Sequence, residues 1–163
     1  MPRRRGVIGL GNPDRGDDAI GILVIRALRG RVPEDVALLE DTGAPLFVLE
    51  QFRKFDALVL VDAVRSGSPP GALHCFDGRE IPVGVRARSF SSHGMCVHDA
   101  LGLGEALGLL PEIVRVVGVE ADQFEFGAQL TPEIEAAIEP AAAMVIEQLR
   151  DIAQSAPAGP DGA

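Results

Sequence analysis

The sequence predicts an α/β fold: a three-layer α/β/α sandwich around a mixed, mostly parallel five-stranded sheet. Short apolar runs alternate with segments of helical periodicity along the chain, as is typical of strands joined by crossover helices. The 163 residues suffice for one domain and are too few for two comfortable ones. We therefore predict a single domain over residues 1–154. Residues 155–163 are small, polar and proline-containing, so we expect a flexible tail there.

The first half of the chain predicts three strands separated by two helices. The strands are the apolar runs at residues 6–10, 36–39 and 57–61. The third run is continuously apolar, as expected for a central strand buried on both faces. From Ile20 to Leu28 the apolar residues recur on one helical face. Pro45 suits the first position of a second helix, which we expect to end near Lys54.

The second half predicts two more strands, two more helices and one long loop. The strands are residues 72–76 and 113–119. The first of them follows its predecessor after only a short, turn-rich connection, so we expect it to run antiparallel. Residues 77–94 form a long irregular stretch, and residues 97–109 a helix. The last helix begins at Pro132 behind Thr131 as N-cap, and we expect Pro140 to break or kink it.

Composition excludes several classes of function. Fifteen basic against 24 acidic side chains leave a net charge of −9, which repels phosphate backbones and argues against a nucleic-acid partner. The single lysine, Lys54, does not follow a glycine loop, so a Walker-type phosphate site is absent. Two cysteines make no disulfide framework. No apolar run approaches the ~18 residues of a membrane span. We expect a cytoplasmic protein without a membrane partner.

The first strand runs into a glycine-rich loop and then into two acidic residues, Asp17 and Asp18. A Gly-x-Gly after a strand suggests a dinucleotide loop, but the third glycine of that fingerprint would fall at Asp14. Carboxylates at the helix start also oppose a pyrophosphate, which needs positive potential there. The alternative interpretation is structural, with Asp17 capping the helix and Asp18 complementing its dipole.

A third carboxylate and one histidine complete a candidate metal site. Asp62 directly follows the most apolar strand, so it should lie at the carboxyl edge of the sheet, near Asp18 if the first and third strands are neighbours. His93 stands on a loop before a helix and can be aimed at a site, whereas His74 and His98 fall within a strand and a helix. Two carboxylates and one imidazole suit Zn, Ni or Fe.

Two other chemistries are open at this point. Cys96 near a helix start, three residues after His93, could form a Cys–His nucleophile. The triplet Asp41-Thr42-Gly43 looks like that of retroviral-type aspartic proteases. That mechanism needs two such carboxylates sharing a proton, hence a homodimer, and an all-β body.

Five segments together resemble the hydrogenase maturation proteases, the nickel-dependent endopeptidases that process the C-terminus of [NiFe]-hydrogenase large subunits. The resemblance covers residues 7–150. The segments, in order, are Gly9-Leu10-Gly11-Asn12 with Asp17-Asp18-Ala19-Ile20-Gly21, then Asp41-Thr42-Gly43, Leu58-Val59-Leu60-Val61-Asp62-Ala63-Val64, Ser91-Ser92-His93-Gly94, and Val117-Gly118-Val119-Glu120.

The resemblance implies a phosphorylase/hydrolase-like α/β/α fold and a catalytic metal triad of Asp18, Asp62 and His93. The first of these ligands is often Glu in the family and is Asp here. The implied reaction is one cut that removes a C-terminal extension from the large-subunit precursor after nickel insertion, with the substrate-bound nickel recognised by the triad. The implied substrate-binding loop is Asp41, Thr42 and Gly43.

A peptidyl-tRNA hydrolase-like esterase is the alternative within a similar fold. Its family shares the opening Gly-Leu-Gly-Asn-Pro, here at residues 9–13. The following motif with a catalytic histidine is absent near residue 20. The net charge of −9 also opposes a tRNA substrate.

Overall fold

A computed structural model describes residues 2–41, 46–82 and 97–155, which form a five-stranded sheet with helices on both faces. The strands are β1 (Arg5–Leu10), β2 (Val36–Asp41), β3 (Ala57–Val64), β4 (Leu73–Asp77) and β5 (Ile113–Glu120). The predicted α/β class with a mixed sheet is confirmed.

The strands are arranged in the order β2-β1-β3-β5-β4. The first four are parallel, with Ile8 of β1 opposite Leu39 of β2 and Leu60 of β3. The edge strand β4 is antiparallel, as predicted, but its partner is β5 and not the preceding strand β3. Because β1, β2 and β3 are parallel neighbours, their carboxyl ends lie side by side at one edge of the sheet.

The central strand β3 is longer than predicted. All eight of its residues are buried, and it continues through Asp62 to Val64. Asp62 therefore lies within the strand and not just beyond it. The extension is stabilised by β5, where Gly118 stands opposite Asp62. Because β5 is equally long, it supplies backbone hydrogen-bond partners beyond the apolar run, and β3 continues through the polar residue at position 62.

Four helices cover the sheet: α1 (Ile20–Leu28), α2 (Phe47–Phe52), α3 (Val97–Ala106) and α4 (Pro132–Gln154). A 3₁₀ turn, Gly16–Ala19, leads into α1. Helices α1 and α4 bury one face of the sheet, around Val59 and Val117. Helices α2 and α3 bury the other, around Leu60 and Val116. Burial on both faces explains the continuously apolar β3.

Two helices differ from their predicted extents at the C-terminal end. Helix α2 ends at Phe52, two residues before the predicted end. Helix α3 ends at Ala106, three residues early, and Gly108 beyond it has a φ of +66°. Glycine in this left-handed conformation is a common helix terminator. Pro45, the predicted start of α2, lies outside the described residues.

Of the predicted break or kink at Pro140, the break does not occur, because α4 is continuous from residue 132 to residue 154. Pro140 and Ala136, whose carbonyl loses its helical partner, are both exposed, so water can replace the missing hydrogen bond. The opposite face of α4 stays packed in the core through Ala141 and Val145. No helix in the described ranges is long and apolar enough to cross a membrane.

Candidate active site

Two glycines bring helix α1 against the ends of the strands. A Cβ on Gly21 would lie 2.2 Å from the carbonyl oxygen of Leu10 and 2.5 Å from that of Val61. A Cβ on Gly9 would lie 2.2 Å from the carbonyl oxygen of Gly21. Only glycine permits this approach, because the contacted atoms are backbone and cannot rotate away. The turn before α1, which carries Asp18, is thereby held at the carboxyl edge of the sheet.

The side chain of Asp18 is buried at this edge, with 2% exposed. Its Oδ2 accepts a hydrogen bond of 3.0 Å from the backbone N–H of Asn12. Its Oδ1 is buried and has no hydrogen-bond partner in the described part of the chain. Burial raises the pKa of Asp18, against the lowering effects of the Asn12 N–H and the positive charge of Arg15. An oxygen left in this state is a ready ligand for a cation.

Asp62 is the second buried carboxylate, with 4% exposed. Its Oδ1 accepts a hydrogen bond of 2.9 Å from the N–H of Ala63. Burial raises the pKa of Asp62 well above its usual range, and the charge of Asp18 and, to a smaller extent, that of Asp41 raise it further, while the Ala63 N–H lowers it. Repulsion between carboxylates needs proximity, so these residues share one electrostatic site.

Asp41 is the third carboxylate at the edge. It ends β2, is buried, and stands opposite Leu10 of β1. Its backbone oxygen accepts a hydrogen bond of 3.2 Å from Gly11. The structure thus brings together the ends of β1, β2 and β3 with Asp18, Asp41 and Asp62. The predicted ligand His93, the substrate-loop residues Thr42 and Gly43, and Cys96 all lie outside the described residues.

The chemistry of this site fits a divalent metal. Carboxylate oxygens are the donors present, one of them is buried without a partner, and mutual repulsion would be relieved by positive charge. Among the residues that the structure describes, no group of three His, Cys, Asp or Glu side chains is arranged as a metal site. A triad would therefore need a donor from elsewhere, such as the predicted His93.

Asp17 does not cap α1, contrary to the structural interpretation of the Asp17-Asp18 pair. It is fully buried and accepts hydrogen bonds from the backbone N–H groups of Asp122, Gln123 and Thr131. The hydroxyl of Thr131 donates a fourth, of 2.8 Å. Thr131 stands at the predicted N-cap position of α4, but its side chain makes no capping hydrogen bond. Asp17 thereby fastens the loop after β5 to the turn that carries Asp18. No local sequence pattern distinguishes this role from a helix cap.

A second polar cluster lies at the end of β5, which the sequence analysis missed. Glu120, 3% exposed, accepts hydrogen bonds from the N–H of Ser66, the N–H of Gly67 and the hydroxyl of Ser66. Nε2 of His74 lies 3.1 Å from Glu120 and 3.3 Å from the Ser66 hydroxyl. In a catalytic serine triad the acid and the serine contact different nitrogens of the histidine ring, whereas here both lie at the same nitrogen. This cluster therefore holds the loop after β3 and does not supply a nucleophile. In the sequence, the only indication of this cluster was the segment that ends in Glu120.

Comparisons with known proteins agree with this architecture. The family model of the hydrogenase maturation proteases (HycI) matches residues 22–148. The chain is 32% identical over 146 residues to the hydrogenase expression/formation protein HupD of Thiocapsa roseopersicina, a match covering 88% of this chain and 66% of that protein, just under two thirds of its length. It is also 32% identical over 148 residues to the hydrogenase 2 maturation protease of Escherichia coli, covering 89% and 90% of the two chains.

The solved structure of the hydrogenase maturating endopeptidase HybD from E. coli has the same fold. Its TM-score to this chain is 0.79 at 31% identity, with 91% of this chain and 93% of that one covered. The α/β body also lacks the all-β architecture that a retroviral-type aspartic protease requires, so Asp41 is not placed for that mechanism.

Proposed function

This chain belongs to the hydrogenase maturation protease family, and we propose that it removes the C-terminal extension of a [NiFe]-hydrogenase large-subunit precursor after nickel insertion. As a member of that family it is a peptidase, and hence a hydrolase. Such proteases act on large-subunit precursors. We further propose that this protease recognises the nickel that its substrate carries.

The observation that carries the proposal is the pair of buried carboxylates at the sheet edge. Oδ1 of Asp18 is buried without a partner in the described ranges, and Asp62 is destabilised as an anion by burial and by Asp18. Buried carboxylates of this kind are costly to ionise, and they cluster at functional sites where a cation can compensate them. A divalent ion that arrives with the substrate would do so.

The residues proposed to hold this nickel are Asp18, Asp62 and His93. The N–H of Asn12 orients the Asp18 carboxylate, and the N–H of Ala63 orients that of Asp62. Bound nickel supplies Lewis acidity to a carbonyl or a water next to it. Three hard or borderline donors leave an ion incompletely coordinated, so we expect weak binding until substrate thiolates complete the shell.

The proposed seat for the substrate tail is the loop Asp41, Thr42 and Gly43. Asp41 ends the strand next to β1 and is close enough to Asp62 to raise the pKa of that residue. A tail bound along this loop would run past the carboxylate pair. Because the three carboxylates are buried, little water surrounds them, which strengthens their electrostatic interactions with a bound segment.

We propose a cytoplasmic location for this activity. Cys75 is an exposed free cysteine. Thiols of this kind are kept reduced in the cytosol, and the substrate thiolates that hold nickel need the same conditions.

The deciding experiment incubates the purified protein with a nickel-loaded large-subunit precursor. We expect the precursor to be shortened at its C-terminus, as intact mass spectrometry would record, and the nickel-free precursor to stay intact. Asp18→Asn, Asp62→Asn and His93→Ala should each lower kcat/KM at least about a hundredfold, since even groups that only orient a metal ligand are worth 10- to 100-fold.

The matched control is Asp151→Asn, which removes an exposed carboxylate from α4, away from the carboxyl edge, and should cleave at the normal rate. Cleavage of nickel-free precursor at the normal rate would contradict nickel recognition. Hydrolysis of aminoacyl-tRNA analogues without any shortening of the precursor would favour the esterase instead.

A further inference from the structure

The two proposed nickel ligands that the structure describes, Asp18 and Asp62, lie on separate segments of the chain. Asp62 belongs to β3, whereas Asp18 belongs to the 3₁₀ turn before α1. Each carboxylate accepts its hydrogen bond from the N–H of a residue close in sequence, Asn12 for Asp18 and Ala63 for Asp62. The spacing of the two carboxylates therefore depends on the contacts that attach the turn to the end of β3. The close packing of Gly21 supplies part of that attachment.

A bridging segment, residues 121–123, is hydrogen-bonded to the end of β3. It directly follows β5, and the N–H of Ala121 donates to the carbonyl of Val64 at 3.0 Å. This bond continues the pairing of β5 with β3, in which Asp62 stands opposite Gly118. The bridging segment is therefore fixed relative to the strand that carries Asp62.

The bridging segment is also hydrogen-bonded to Asp17. The N–H of Asp17 donates to the carbonyl of Gln123 at 2.8 Å. Oδ2 of Asp17 accepts hydrogen bonds from the N–H of Gln123 at 3.0 Å and from that of Asp122 at 3.3 Å. Three hydrogen bonds thus join the bridging segment to the residue before Asp18, and they complete the connection from β3 to the turn.

The other oxygen of Asp17 is bonded to the residue that precedes α4. Oδ1 accepts hydrogen bonds from the N–H of Thr131 at 2.9 Å and from its hydroxyl at 2.8 Å. Asp17 is fully buried, and each of its oxygens has two donors. Asparagine at this position would have one such oxygen and an NH₂ group facing two donors, so it could not hold both segments at once.

We propose that Asp17 is a positioning residue of the nickel site, because its four hydrogen bonds fix the turn relative to β3 and so set the spacing of the Asp18 and Asp62 carboxylates. This inference rests on the proposed function, which assigns nickel to these two carboxylates. It adds a residue whose own oxygens are occupied and which acts through Asp18. Groups that hold metal ligands in place are worth about 10- to 100-fold in metal affinity.

The test titrates Ni²⁺ into the purified protein and its variants by isothermal calorimetry, below their melting temperatures. We expect the wild type to bind one Ni²⁺ per chain, and Asp17→Asn to raise the Kd at least about tenfold. Thr131→Val removes only the hydroxyl that donates to Oδ1 and leaves the charge unchanged. It should raise the Kd by a smaller factor, at least about twofold. Thr131→Ser keeps the hydroxyl and should have the Kd of the wild type.

The matched control is Glu120→Gln. Glu120 is a second buried carboxylate with several donors, but those donors belong to residues 66–67 and His74, not to the turn that carries Asp18. The substitution should lower the melting temperature as Asp17→Asn does, yet leave the Kd for Ni²⁺ within about twofold of the wild type.

Two results would overturn the positioning role. An equal rise of the Kd in Glu120→Gln and Asp17→Asn would mean that lost stability explains the effect. A wild-type Kd in Thr131→Val would mean that the hydrogen bonds of Asp17 do not act on the site. If Asp17→Asn does not fold, Thr131→Val and its control Thr131→Ser decide the question.

Cleavage of the nickel-loaded precursor separates this proposal from the proposed function. A wild type that binds Ni²⁺ without shortening the precursor would overturn the proposed function alone, and the Kd values would still decide the role of Asp17. If the wild type shortens the precursor but binds no free Ni²⁺, kcat/KM decides: it should fall at least about tenfold in Asp17→Asn and stay within about twofold in Glu120→Gln, and a smaller fall would overturn the positioning role. Absence of both binding and cleavage would overturn the two proposals together.

Discussion

Buried carboxylates in this protein divide into two kinds according to their partners. Asp17 and Glu120 each accept four hydrogen bonds or close polar contacts and serve as anchors for loops. Within the described residues Asp18 and Asp62 each accept one hydrogen bond, and the charge of Asp18 raises the pKa of Asp62. The first two carboxylates thus stabilise the fold. The ionised forms of the second two are destabilised by burial, as expected of groups retained for chemistry.

At the residue scale, we predict that Asp62→Asn stabilises the metal-free protein at neutral pH. The pKa of Asp62 is higher in the folded state than in the unfolded chain, so its contribution is fully present below the unfolded value of about 3.9 and is lost as pH rises through the folded value. Asparagine cannot ionise and keeps an oxygen for the Ala63 N–H.

Thermal unfolding checks this prediction. The melting temperature of Asp62→Asn at pH 7 should exceed that of the wild type by about 2–4 °C for each kcal/mol relieved, and the gap should close toward pH 4. Melting temperatures that match at pH 7 would show that the buried charge is already compensated without metal.

Glu120→Gln should have the opposite effect. Burial tends to raise the pKa of Glu120, but hydrogen bonds from Ser66, Gly67 and His74 outweigh it, so the net shift is downward. This stabilisation is present above the unfolded pKa of about 4.3 and is lost as pH falls through the folded value. The substitution should lower the free energy of unfolding at pH 7 by about 1–3 kcal/mol.

Urea unfolding at several pH values measures that difference. The wild type and Glu120→Gln should differ most at neutral pH and converge as the pH falls through the folded-state pKa of Glu120, which lies below that of the unfolded chain. A difference independent of pH would mean that the effect comes from packing and not from the charge.

At the scale of elements, the packing of α1 on the strands positions the site. We predict that Gly21→Ala lowers the free energy of unfolding by about 1–3 kcal/mol or more, because its Cβ would meet the carbonyl oxygens of Leu10 and Val61. The displaced helix should also move Asp18 and reduce cleavage of the precursor.

The matched control for this prediction is Gly102→Ala in α3, where a Cβ would meet nothing within 4 Å. That substitution should stabilise the protein by about 0.5–1 kcal/mol, because alanine is the better helix former. Urea unfolding of both variants provides the comparison. Equal effects of the two substitutions would show that the close approach of α1 does not matter.

At the scale of the whole molecule, strand order decides which loops meet. The order β2-β1-β3 places the loops after three parallel strands at one edge, and each of those strands or loops supplies one of the buried carboxylates Asp18, Asp41 and Asp62. The loop after β5 is joined to the same edge through Asp17. The proposed metal site and the loop after β5 are therefore held by a single framework.

The order of the elements, the antiparallel direction of β4 and the position of two carboxylates at the carboxyl edge could be predicted from the amino-acid sequence alone. These features are local: apolar runs, helical periodicity and short connections depend on neighbouring residues alone. The α/β class follows from their alternation. Asp18 and Asp62 could be located because each lies next to a strong local pattern, the glycine-rich loop and the apolar strand.

The roles of Asp17 and Glu120 and the extents of β3 and α4 depend on contacts between segments that are distant in the chain. Asp17 bonds to residues more than a hundred positions away in the chain, and Glu120 bonds to a loop 53–54 positions before it. Strand β3 outlasts its apolar run because β5 pairs with it, and α4 passes Pro140 because its opposite face is packed. Partners distant in sequence leave no local pattern, so their effects become visible only once the chain is folded.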